Sequence, residues 1–196
     1  LEYGDLEQLI DRTGDTRRNV VITGASGSLG SHFLFWKLQM EGRIYLIDSK
    51  IKDQKRRENI ARRMKKVAYS YGVSYLFDEE FEEKVSMINS DLSMPLGGLP
   101  GSEISRLRNN SIDEFWHLDG LHERGWKNRE AYIKRNVEAT RNALYMAKLV
   151  GCKHFIYLSS ADSVGDYSGK VGEELHKRQT SSNDAYDWSL NKAEHQ

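Results

Sequence analysis

The stretch NVVITGASGSLGSHFLFWKLQMEG, residues 19–42, constrains the fold most. Asn19 to Thr23 is rich in β-branched residues and reads as a buried strand. SHFLFWKLQMEG reads as a helix that Gly42 closes. Between them Gly24, Gly27 and Gly30 recur every third residue, giving a strand, a tight turn and a helix in direct succession. Each glycine has its own task in such a turn. Gly24 permits the sharp bend, Gly27 lets a ligand approach the backbone, and Gly30 lets the helix pack against the strand. The start of a helix presents free N–H groups, which suit a phosphate. Ser26, Ser28 and Leu29 share this loop, and the two serines add hydroxyl donors. The pattern therefore points to a dinucleotide held by its pyrophosphate.

The rest of the chain repeats the alternation. Strands are expected at RIYLID, at KVSMINSDL ending at Asp91, at IDEFWHLDG and at KHFIYLSS. Helices are expected over Lys52–Tyr71, as one continuous run from Asn128 to Val150, and from about Ala185. LSMPLGGLPG holds both prolines and reads as a loop. Strands alternating with helices imply a parallel sheet covered on both faces, so the fold class is α/β, a doubly wound, Rossmann-like sheet. Residues 1–18 read as a helical extension and 19–196 as the dinucleotide-binding domain. Asp48 ends the second strand, where a carboxylate accepts the ribose hydroxyls of NAD and repels the extra phosphate of NADP; a helix cap is its alternative role. Lys50 nearby tolerates that phosphate, so the cofactor is NAD or NADP, with Asp48 favouring NAD.

Composition narrows the partners. Lys plus Arg and Asp plus Glu balance at 29 each, which argues against nucleic acid. The basic run KDQKRRENIARRMKK reads as a solvated helix face. Cys152 has no second cysteine to pair with, which fits a reducing cytoplasm. No apolar run suits a membrane span, and no His/Cys/Asp spacing suits a metal. Trp116 and Trp126 read as packing residues, and His122 as a loop residue.

Several motifs together resemble the extended short-chain dehydrogenase/reductases. TGASGSLG is similar to their glycine loop. SDL, residues 90–92, resembles the step in which Asp91, followed by Leu92, contacts the adenine. WHLDG resembles the strand end that brings His117 beside the cofactor, with Asp119 and Gly120 replacing two alanines; a strand-end packing residue is the alternative reading of His117, favoured over a catalytic role. RNVEATRNAL resembles the helix carrying Asn136, and FIYLSSADSVGD resembles the strand whose catalytic hydroxyl falls on Ser160. Within the group, SDLSMPLGGLP is similar to a segment of thioester reductases and fatty acyl-CoA reductases. That resemblance implies reduction of an acyl-carrier or CoA thioester, or a related carbonyl.

The group's signature, Y-x-x-S-K-x-x-A-E, meets AYDWSLNKAE at residues 185–194. Tyr186, Ser189, Ala193 and Glu194 fall in register, but Leu190 stands where the lysine belongs. In the group the tyrosine protonates the substrate oxygen, and the lysine binds the ribose and lowers the tyrosine's pKa. Lys192 lies about 240° round a helix from Tyr186 and faces elsewhere. Three readings stay open: a weak or unusual reductase using Ser160 and Tyr186, a dinucleotide-binding domain with a sensor or structural role, and a fold kept for packing. The resemblance also admits a nucleotide-sugar epimerase or dehydratase. Members of the group continue well past this helix, so a C-terminal truncation with most of the substrate subdomain missing is expected, and another chain or domain is expected to cover the open sheet edge.

Overall fold

The computed structural model describes residues 18–49, 54–72, 77–122, 129–165, 168–172, 174–175 and 185–196. The expected N-terminal helix, Lys50 and Trp126 lie outside the described residues. Five strands, β1 (Val20–Thr23), β2 (Ile44–Asp48), β3 (Val85–Asn89), β4 (Glu114–His117) and β5 (His154–Tyr157), form one sheet in the order β3-β2-β1-β4-β5. Every pairing is parallel; Val20 lies opposite both Ile44 and Glu114. β1 sits where the strand order reverses, and in such sheets ligands bind at that switch point, beyond the carboxyl ends of the strands.

Alternation along each strand sends side chains to two cores. Val20, Ile22 and Leu46 meet Leu34 of α1 (Ser28–Leu38) and Ile60 and Met64 of α2 (Gln54–Ser70) on one face. Phe81 of α3 (Phe77–Lys84) closes the margin of that core. On the other face Val21, Tyr45 and Phe115 meet Leu107 of α4 (Gly101–Asn109) and Ala143 and Met146 of α6 (Ala139–Leu149). α5 is the single turn Arg129–Tyr132, and α7 spans Ala185–Glu194. Tyr132, Ala185, Tyr186 and Leu190 form a third, smaller cluster where α5 meets α7, with Leu121 against it.

A buried charge pair sits at the opposite end of the sheet from the ligand end. Glu114 accepts hydrogen bonds from Lys37 Nζ, Trp116 Nε1 (2.7 Å) and Arg18 (2.8 Å). Lys37 Nζ also lies 4.9 Å from the Trp36 ring centroid and 5.5 Å from that of Trp116. Burial alone would raise the Glu114 carboxyl, but these donors hold it below the usual carboxylate range. Trp116 is thus a packing residue, as its setting in the sequence suggests.

The structure differs from the sequence reading at four places. β3 ends at Asn89, because Ser90 and Asp91 already turn into the loop: Ser90 Oγ donates to the Gly97 carbonyl (2.8 Å) and Asp91 N–H to the same oxygen (3.0 Å). The loop of residues 92–101 contains a 3-10 turn at Pro95–Gly98 and leads directly into α4, which was not anticipated, and neither was α3. The helix expected from 128 to 150 is interrupted by a π-helical segment, Ile133–Glu138. Among the described residues no helix is long and apolar enough to cross a membrane.

Candidate functional site

The glycine loop owes its shape to backbone contacts. Gly24 has φ +75°, and a Cβ there would lie 2.7 Å from the backbone of Leu118 and Asp119. The loop after β1 therefore leans on the loop after β4. At Gly30 a Cβ would lie 2.1 Å from the Gly24 carbonyl oxygen, so only glycine brings α1 this close to the turn. Gly27 caps α1 with φ −74° and no side chain over the helix end. The first helical bond runs from Ser31 N–H to the Gly27 carbonyl (3.0 Å), which leaves the N–H groups of Ser28, Leu29 and Gly30 outside the ladder. Glycines that leave backbone space beside open N–H groups fit a pyrophosphate.

A groove crosses the carboxyl ends of β1 to β3, lined by Gly24, Ser26, Asp48, Asp91, Leu92 and Arg135 among others. Asp48 thus faces the groove from the end of β2, where the sequence puts a ribose acceptor. Asp91 accepts from Ser93 N–H at 2.9 Å. Hydrogen bonding from Ser93, with Arg135 and Lys134 nearby, holds its carboxyl below the ordinary value. The loop that carries Asp91 and Leu92 is clamped from α6, where Asn142 Nδ2 donates to the carbonyls of Leu92 (2.8 Å) and Met94 (3.0 Å). Asp119 Oδ2 lies 3.4 Å from Arg135 Nη2.

A second, smaller cavity adjoins the groove through Asp119. Its walls include Ser160, Tyr186, His122, Asn136, Tyr157 and Leu190. Ser160 and Tyr186, 26 positions apart in the sequence, thus share one cavity. Ser160 Oγ lies 3.1 Å from Asp162 Oδ2 and accepts from Asp162 N–H at 3.3 Å, capping the short 3-10 turn Ala161–Val164. Burial pushes the Tyr157 phenol up to about 12, so it stays protonated. Leu190 fills the lysine position with an apolar, buried side chain. Lys192 points away: its Nζ lies 4.9 Å from the Trp188 ring centroid, on the exposed side of α7.

Asn136 does not touch the groove. It lies in the π-helical segment and joins two elements. Its Oδ1 accepts from Leu121 N–H (2.7 Å), and its Nδ2 donates to Ser189 Oγ (2.9 Å) and, more weakly, to the Leu121 carbonyl (3.3 Å). Ser189 Oγ in turn donates to the Tyr186 carbonyl (2.7 Å). π-Helical turns are frequent at functional sites because they redirect a side chain or carbonyl.

His117 needs a correction. The sequence reading puts it beside the cofactor, but its ring is fully buried behind the loops. Thr23 Oγ1 accepts the N–H groups of Leu118 (3.2 Å) and Asp119 (3.3 Å), so its own proton goes to His117 Nδ1 at 2.8 Å. Nε2 then carries the ring proton and donates to Thr140 Oγ1 at 3.1 Å. Burial depresses the imidazole to about 4, so it is neutral near pH 7. His117 positions the loop after β4 and does not face a ligand. The residue that sequence reasoning passed over is His122, whose Nδ1 lies 3.4 Å from the Tyr186 phenol oxygen. No spacing rule links two residues 64 positions apart, so nothing in the sequence marked it.

Comparison with known proteins agrees with this architecture. The family described as "Male sterility protein", a family of NAD-binding domains, matches residues 22–196. Among solved structures, the terminal R domain from the myxalamid PKS-NRPS biosynthetic pathway is 25% identical, with a TM-score of 0.71; the match covers 90% of this chain and 44% of that one. The reductase (R) domain of a non-ribosomal peptide synthetase from Mycobacterium tuberculosis is 22% identical over 83% of this chain and 38% of that one, with a TM-score of 0.54. UDP-glucuronic acid 4-epimerase from Bacillus cereus, in complex with UDP-glucuronic acid and NAD, shares the fold at 22% identity and a TM-score of 0.59, over 90% of this chain and 50% of that one. The chain thus spans half or less of the length of these structures. A search of curated proteins found no match. The glycine turn, the parallel sheet and the family match over residues 22–196 show that the chain belongs to the male sterility family of NAD-binding domains, within the extended short-chain dehydrogenase/reductase superfamily.

Proposed function

We propose that this chain is the dinucleotide-binding and proton-donating part of an NAD(P)-dependent reductase acting on an acyl thioester or a related carbonyl. The observation that carries the reading is the shared cavity of Ser160 and Tyr186, which adjoins the groove of Gly24, Asp48 and Asp91. The SDLSMPLGGLP segment and the similarity to an R domain at 25% identity support a thioester over a sugar nucleotide. In this reading the open N–H groups of Ser28, Leu29 and Gly30 receive the pyrophosphate, Asp48 the adenosine ribose, and Asp91 with Leu92 the adenine. A carboxylate at Asp48 favours NAD over NADP, because a phosphate on that ribose would meet like charge.

When bound, a reduced nicotinamide would supply a hydride to the carbonyl carbon; on a thioester the protonated adduct then breaks its C–S bond, and the hydroxyl proton leaves with the thiol. The protein handles the oxygen. Ser160 Oγ, once turned from Asp162, donates a hydrogen bond to it, and Tyr186 Oη delivers the proton. The cavity wall of Leu118, Leu121 and Leu190 limits water around that oxygen.

One observation favours a second reading. Leu190 is buried in the apolar cluster with Tyr132 and Ala185, so the charge that normally serves the tyrosine is absent from its usual place. On that basis the domain binds a dinucleotide without turnover. The test uses the protein that carries this chain: NADH and NADPH binding by calorimetry, then reduction of a fatty acyl-CoA by wild type and by Tyr186→Phe. Turnover lost in Tyr186→Phe with binding retained supports the reductase. Binding without turnover in wild type favours the second reading, and binding of neither dinucleotide overturns both.

A further inference from the structure

The fate of the missing lysine leads to a specific substitute. We propose that His122 is the positioning group for Tyr186, supplying from the loop after β4 the hydrogen-bond partner that Leu190 cannot supply from α7. The inference rests on the reading of Tyr186 as the proton donor.

Two independent observations carry it. The first is the contact itself. His122 Nδ1 faces the Tyr186 phenol oxygen at 3.4 Å, with the rings edge-on at 70° and centroids 6.3 Å apart. Both residues line the cavity that holds Ser160. A separation of 3.4 Å is long for a hydrogen bond, but such bonds tighten when substrate closes a site. The second is the framework. Asn136 holds Leu121, the residue before His122, through its backbone N–H, and holds α7 through Ser189, which caps the Tyr186 carbonyl. One buried amide therefore fixes the loop of the histidine and the helix of the tyrosine in a common frame. Lys192 is no rival, because its ammonium lies over the Trp188 ring on the outside of the helix.

The proton accounting is complete. As the carbonyl oxygen gains electron density, Tyr186 Oη–H breaks and its proton goes to that oxygen. His122 donates Nδ1–H to the phenolate oxygen that it faces, then passes that proton to Oη as Nε2 takes one up. His122 is exposed and regains a proton from solvent. Other ionisable or polar groups around the pair are Asp119 and Tyr157, which line the same cavity, and Tyr132 of α5, whose ring lies 6.0 Å from that of Tyr186. Asp119 is paired with Arg135, and Tyr157 stays protonated, so neither competes for the role.

The experiment compares wild type, His122→Gln, Leu190→Lys, the double variant and Tyr186→Phe in the protein that carries this chain. His122→Gln should lower kcat for acyl-CoA reduction by about 10- to 100-fold and leave dinucleotide affinity within about twofold. It should also change the shape of the pH profile of kcat, whereas a merely structural loss would lower kcat equally at every pH. Leu190→Lys should restore turnover in the His122→Gln background, because the ammonium then returns on α7. A readout independent of turnover is the NMR signal of the His122 ring, which should move in Tyr186→Phe. An unchanged kcat and pH profile in His122→Gln, with Tyr186→Phe inactive, overturns the role of His122 and leaves Tyr186 as the donor. Full activity in Tyr186→Phe overturns the proposed function instead. If wild type does not turn over, an unmoved His122 ring signal in Tyr186→Phe overturns the inference by itself.

Discussion

The two inner glycines of the turn should fail in different ways when a methyl group is added. At Gly30 the new Cβ would sit 2.1 Å from the Gly24 carbonyl oxygen, 2.8 Å from its carbon and 2.9 Å from Ala25 Cα. The first approach falls about 1.3 Å short of an ordinary 3.4 Å contact. All three atoms are backbone, so no side chain can swing aside. Overpacking of this kind costs about 1–3 kcal/mol. For a domain of this size that lowers Tm by about 2–12 °C, and it displaces the turn proposed to bind phosphate. At Gly27 the Cβ would meet only the Gly24 oxygen, at 3.3 Å, and φ is −74°, which suits any residue. Gly27→Ala should therefore fold within about 0.5 kcal/mol of wild type. Its methyl would still stand over the open end of α1, where the pyrophosphate approaches, and should weaken dinucleotide binding about tenfold, or 1.4 kcal/mol. Thermal denaturation and calorimetric titration with NADH separate the two effects. Gly30→Ala with wild-type Tm and affinity, or Gly27→Ala with wild-type affinity, would refute the assignment of close packing to one glycine and ligand approach to the other.

Two further outcomes are expected. His117 is neutral in the fold with its pKa depressed from 6.5 to about 4, so the unfolded chain binds the extra proton between these values; stability from this group is complete above pH 6.5 and drops by roughly 3 kcal/mol as pH falls to 4. Urea unfolding across that window should show the slope in wild type and a flatter line in His117→Gln; equal slopes would mean that the histidine is not held neutral. Asp48→Ala should raise the ratio of NADPH to NADH affinity by about tenfold, since it removes the like charge from the ribose end of the groove. An unchanged ratio in competitive titration would assign cofactor choice to other residues.

The elements that the sequence made legible are those whose pattern is local. NVVIT, RIYLID and FIYL are apolar runs that only a doubly covered sheet buries, and the glycine spacing placed the turn between β1 and α1. The helices α3 and α4 escaped notice because they are short and charged; among the described residues Phe81 anchors the first, and Ile104 with Leu107 the second. The π-helical segment left no trace because side-chain spacing within a few residues cannot tell one extra residue per turn from ordinary scatter. At the site, Gly24 and Asp48 come at strand ends that the pattern defines, whereas Asp91, marked by the resemblance alone, lies two residues beyond the end of β3 and lines the same groove. The depth of His117 and the meeting of His122 with Tyr186 depend on loop paths and long-range packing, which no local pattern encodes.

The π-helical segment also divides the long run from Arg129 to Leu149 into two phases. Each residue of an α-helix advances the side chain by about 100°. Beyond the segment, Ala143, Met146 and Ala147 aim at the sheet; before it, Tyr132 aims at α7. The one surplus residue is what lets both stretches satisfy different neighbours along nearly the same axis. Removing Val137 or Glu138 would turn Tyr132 and Asn136 about 100° away from their partners relative to α6. Sequence length in this segment therefore acts as a structural variable in its own right: a side chain can change and keep its bearing, whereas a lost residue rotates the whole upstream turn.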